Sequence, residues 1–140
     1  MRAPPLMTIV ALSVACGGGL FDEPVPTDLA VREGMCHCDL PDDRPVDFYT
    51  RGGIDRFVML RFEADPAEVP AFLASAGLPE LKPDPSAFFN GATEAAGWWV
   101  KEPSPGSRGA RMSTDAWTAK VRVDPGPGER VTIFLWGNER

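Results

Sequence analysis

Residues 117–136 read Trp117-Thr118-Ala119-Lys120-Val121-Arg122-Val123-Asp124-Pro125-Gly126-Pro127-Gly128-Glu129-Arg130-Val131-Thr132-Ile133-Phe134-Leu135-Trp136. Two alternating runs flank a Pro-Gly-Pro-Gly break. Side chains of a strand point to opposite faces in turn, so Trp117, Ala119, Val121 and Val123 share one face of the first run. Val131, Ile133 and Leu135 share one face of the second. Such a pair of runs predicts an antiparallel hairpin. The apolar faces must coincide, because a one-residue slip reverses every side chain. Two registers satisfy that condition. Val123 opposite Val131 sets Asp124 against Arg130, an attractive pair; Val121 opposite Val131 sets Arg122 against Arg130, a repulsive one. The charge argument selects the first, with Pro125 to Glu129 as a five-residue loop.

The same alternation leaves Phe134 and Trp136 on the other face, with Lys120 expected opposite Phe134. They stand exposed unless Phe48-Tyr49, Phe57/Met59 or Trp98-Trp99 cover them. An uncovered patch of Trp98, Trp99, Phe134 and Trp136 would suit a protein or glycan partner.

Upstream, Arg56 to Glu63 reads as a strand, with Val58, Leu60 and Phe62 on one face. Asp65-Pro66-Ala67-Glu68 carries the marks of a helix start: a capping acid, a proline at the first position and a glutamate at the capping-box position. Val69, Phe72, Leu73 and Ala76 then recur at helical spacing, and Gly77-Leu78 is a stop. Pro70 requires either a distorted first turn or a later start. Residues 79–97 read as irregular with room for one short helix, Trp98-Trp99-Val100 as a short strand, and 101–115 as a loop. The fold class is therefore α+β: a small antiparallel sheet on one helix, ending in a hairpin, over residues 48–140. Its expected core comprises Val58, Leu60, Phe62, Val69, Phe72, Leu73, Val121, Val123, Ile133 and Leu135.

Composition limits the partners. The 140-residue chain allows one domain and has a formal net charge of −6. Three lysines and eleven arginines form no basic run. Nucleic-acid binding, which draws on clustered cations, is not expected. Between Gly17 and Asp47 eight acids face two arginines and no hydrophobic period is visible. Residues 16–47 therefore read as a flexible acidic tether that cannot offset its chain entropy by burial.

Residues 1–15 read as a signal peptide: Arg2, then a short apolar stretch from Leu6 to Val14, then Ala15. The run Leu12-Ser13-Val14-Ala15-Cys16 resembles the lipobox of bacterial prolipoproteins. The small residue before the cysteine matches that pattern; Ser13 departs from it, since leucine stands one place earlier at Leu12. The resemblance implies cleavage before Cys16, a diacylglycerol and palmitate on that residue, and a membrane-held domain facing the periplasm or exterior. It covers the first sixteen residues only. Three cysteines leave one unpaired in an oxidising compartment, and acylation of Cys16 would account for it.

Met35-Cys36-His37-Cys38 is the most distinctive cluster. It reads as a local disulfide or as a soft-metal site of thiolate and imidazole ligands. The disulfide or incidental cysteines are the expected reading, because no second Cys or His pair completes a tetrahedral site. His37 is the only histidine, so no nucleophile–histidine arrangement is legible elsewhere, and no catalytic residue or cofactor is expected. Two carboxylates alone could serve a hydrolase, but acidic pairs are what an acidic surface produces by chance. The sequence thus predicts an exported, lipid-anchored envelope protein that binds a partner, with a secreted metal or redox protein using Cys36, His37 and Cys38 as the alternative.

Overall fold

The computed structural model describes residues 25–52, 56–83, 97–99 and 102–139. The signal peptide, Cys16, the segment 84–96 and Val100 lie outside the described residues. Among the described residues the α-helices and strands are, in chain order, α1 (Leu29–Cys36), β1 (Asp47–Arg51), β2 (Phe57–Ala64), α2 (Val69–Ser75), β3 (Arg108–Ser113), β4 (Trp117–Pro125) and β5 (Val131–Glu139). The strands form one antiparallel sheet in the order β1-β2-β5-β4-β3. The class is α+β, as expected.

Alternation decides what each face of the sheet does. Val58, Leu60 and Phe62 of β2, Ile133 and Leu135 of β5, and Val121 and Val123 of β4 meet Val69, Phe72 and Leu73 of α2 in the main core. Phe62 and Phe72 touch edge to face with centroids 5.3 Å apart. All ten expected core residues are buried there.

The start of α2 resolves the proline problem both ways. Pro66–Glu68 forms a 3-10 turn, closed by a capping box in which the Asp65 amide donates to Glu68 Oε1 at 2.8 Å. The α-helix itself begins at Val69, which places Pro70 in its first turn, where a missing N–H costs little. At the other end Gly77 takes φ +69°, and the amides of Gly77 and Leu78 donate to the carbonyls of Ala74 and Leu73. That is the Schellman arrangement, and Leu78 buries itself beyond it.

Three expectations need correction. The hairpin register is neither of the two weighed. Val123 pairs with Ile133, Asp124 with Thr132 and Pro125 with Val131, so the loop is Gly126–Arg130, with Gly128 at φ +67°. The faces match as required, but the Asp124–Arg130 attraction does not set the pairing. Asp124 is buried against Arg122 and Ser107, while the Arg130 Nε lies 3.7 Å from Glu63 of β2. Likewise Lys120 faces Trp136, its ammonium 5.3 Å from that ring's centroid, and Arg122 faces Phe134 at 4.5 Å.

The second correction concerns residues 25–47, which do not behave as a tether. Asp28 caps α1 by accepting from the Val31 amide at 3.0 Å. Cys36, Cys38 and Leu40 are buried in the main core. Arg32 donates to the carbonyls of Pro26 and Val46 and lies over the Phe48 ring at 5.1 Å. The Asp39 amide donates to Ser75 Oγ at 2.9 Å. The acids Asp28, Glu33, Asp39, Asp42 and Asp43 therefore belong to the surface of the folded domain.

Third, residues 108–113, read as loop, form β3, and Asp47–Arg51 form β1. Trp98 lies in a turn and Trp99 in irregular chain, where a short strand had been expected.

Candidate functional site

Helix α2 is seven residues long, about 10 Å at the usual rise. Strands β4 and β5 are nine residues each, about 30 Å. So short a helix cannot roof the whole core face. A cleft of about 800 Å³ runs along one side of the helix, between α2, the chain from Leu78 to Leu81, and the β4–β5 turn.

Val69, Leu73, Leu78, Leu81, Val123 and Val131 give it apolar surface. Pro66, Pro70, Pro79 and Pro125 stand around it. Prolines have no N–H, so these walls recognise through shape and apolar contact. The segment after Leu78 is held in place by Lys82, whose amide and carbonyl pair with Gly109 of β3 at 2.8 Å each. Gly106, at φ +87°, turns the opposite wall, and a side chain there would crowd the Pro125 ring.

Four charged residues line the same cleft: Glu80, Arg108, Glu129 and Arg130. Arg108 donates to the Leu81 carbonyl at 3.1 Å, and Arg130 is drawn toward Glu63. The described lining contains no serine, cysteine or histidine. Size and chemistry are those of a ligand-binding cleft: apolar walls with a few polar groups.

The sequence singled out other places. Cys36 and Cys38 are joined in a disulfide, and both are buried. His37 between them takes φ +55° as the C-cap of α1 and turns outward, its ring 4.3 Å from that of Trp117. With both thiols engaged in the bond, the cluster has no thiolate to offer a metal and keeps only the His37 imidazole and the Met35 thioether. Among the described residues no group of three or more His, Cys, Asp or Glu is placed to hold a metal ion.

The aromatic patch is largely closed on itself. Trp99 covers Phe134 edge-on with centroids 5.4 Å apart, and both are buried with Met59. Trp98 and Trp136 are half-buried around them. Arg61 holds this arrangement: it pairs with Asp47 at 2.6 Å and donates to the Trp98 carbonyl at 3.0 Å. Of the four residues expected to form an open platform, Trp99 and Phe134 serve as a second small core.

The cleft was not legible in the sequence, although α2 and the existence of the C-terminal hairpin were. The far wall of the cleft needs the strand ends and the course of residues 78–81, which alternation alone does not give.

Comparison with known protein families, curated proteins and solved structures yields no match to this chain. The class is therefore defined by the fold itself: an α+β domain built on a five-stranded antiparallel sheet, with a proline-walled cleft at one end of its core face.

Proposed function

We propose that this protein is a lipid-anchored, non-catalytic binding module of the bacterial cell envelope, held by acyl chains on Cys16. One observation carries the reading. The disulfide takes up Cys36 and Cys38, and Cys16 is then the single cysteine left over. That is the residue at the lipobox-like border. A disulfide also fits an oxidising compartment outside the cytoplasm.

Residues 25–47 pack onto the domain, so a 32-residue tether is not available. Eight residues separate Cys16 from Val25, a span of at most about 32 Å. The domain is then held close to the bilayer, with Val25, Leu29 and Val31, near the start of the described residues, as exposed large apolar side chains. Binding falls to the cleft, where apolar walls and a few charges meet.

The test is fractionation of cells producing the full chain or Cys16→Ser. The reading expects the first in the membrane fraction, solubilised by detergent and not by high salt. It expects the second to be lost from that fraction or to remain as unprocessed precursor. Equal distribution of both, with equal processing, contradicts it.

A further inference from the structure

We infer that the cleft takes an apolar peptide segment carrying a basic side chain. This rests on the reading of the protein as a binding module and names the chemistry of its partner. The volume, about 800 Å³, suits a few aliphatic side chains. Val69, Leu73 and Val131 supply the surface they would meet. The charges at the cleft are not equivalent. Arg108 already donates to the Leu81 carbonyl, and Arg130 already faces Glu63. Glu80 and Glu129 are exposed and have neither hydrogen-bond nor ion-pair partner among the described residues. Arg108 keeps its charge beside the neutral Leu81 carbonyl, but Arg130 is offset by Glu63, so Glu63, Glu80 and Glu129 against Arg108 and Arg130 leave the cleft with a balance of −1. The net charge of the chain, −6, has the same sign and favours approach of a cation. A lysine or arginine beside a short aliphatic run satisfies both the walls and the unmatched carboxylates.

The experiment uses the mature chain in phosphatidylcholine nanodiscs at low salt, with empty discs subtracted. Three probes are titrated: the labelled peptide Leu-Leu-Val-Leu-Lys-Lys, the same peptide ending Glu-Glu, and dodecanoate as an apolar anion. The expected result is binding of the lysine peptide, with the glutamate peptide about tenfold weaker or more. The double variant E80K/E129K should reverse that order while its thermal midpoint stays unchanged, since both side chains are exposed. The inference is overturned if the lysine peptide does not bind, if dodecanoate binds more tightly, or if E80K/E129K keeps the wild-type order. The acyl group on Cys16 is read separately by mass, so a failed cleft and a failed anchor are distinguishable.

Discussion

Arg44 grips the Glu68 carboxylate with two parallel hydrogen bonds, Nη1 to Oε1 at 2.7 Å and Nη2 to Oε2 at 3.0 Å. The same guanidinium donates to Asp43 and to the Glu63 carbonyl. It thereby fastens the segment before β1 to the junction of β2 and α2, at a carboxylate that also closes the capping box. Bidentate geometry of this kind is the strong form of a surface ion pair.

The pair makes a pH prediction. The Arg44 hydrogen bonds, with that of the Asp65 amide, lower the Glu68 carboxyl from 4.5 to about 2. A carboxyl lowered on folding adds stability that is present above its unfolded value and lost as pH falls through its folded value. The contribution should therefore fade between about pH 4.5 and pH 2. Urea midpoints measured across that window should fall with acid in the wild type and show a shallower step in Arg44→Ala. Identical slopes would place the acid sensitivity elsewhere.

Arg122 and Asp124 predict a large effect from a small change. Arg122 is fully buried on β4, its Nε donates to Asp124 Oδ1 at 2.9 Å, and Ser107 Oγ donates to the same oxygen at 2.5 Å. Asp124→Ala removes the carboxylate beside a buried cation and should cost about 3–5 kcal/mol by urea denaturation. Ser107→Ala removes one hydrogen bond and should cost about 1–2 kcal/mol. Equal losses would mean that the charge is not what the site stabilises.

Gly137 is a packing constraint. A Cβ there would overlap the six-membered ring of Trp117, which lies across it on the core face. Gly137→Ala should destabilise by about 1–3 kcal/mol and shift tryptophan emission, as the indole is displaced. Unchanged stability would contradict the close approach.

The Cys36–Cys38 bond closes a very short loop, so its effect on the unfolded chain is small. The double variant Cys36→Ala/Cys38→Ala should lose less than about 2 kcal/mol and keep a folded far-UV spectrum. Global unfolding would show that the bond holds residues 25–46 more firmly than loop entropy allows.

The contrast between what was legible and what was not has a physical basis. Strand β2, the capping box at Asp65 and the Gly77 stop are written in local chemistry, and each was readable. The register of β4 with β5 was not. It depends on where Asp124 and Arg122 are buried, and that is decided by Ser107 and Phe134, distant in sequence. Helix α1 was missed because it buries only Cys36 of its eight residues, so no apolar stripe marks it. Arg32 ties it to the Val46 carbonyl, the Leu40 amide donates to its Glu33, and Arg44 fastens the segment after it to Glu68, 24 residues on. Strand β3 offers only Ala110 and Met112 to the core, too little alternation to stand out from a loop. The cleft is what remains between α2, residues 78–81 and the β4–β5 turn when these pieces are put together.

The most direct test of the account is intact-mass and peptide mass spectrometry of the protein extracted from membranes of producing cells. The account predicts a mature chain beginning at Cys16, carrying a diacylglyceryl adduct and a further palmitoyl-sized mass, with Cys36 and Cys38 two hydrogens lighter than free thiols. A mature chain with an unmodified Cys16, or one beginning elsewhere, would contradict it.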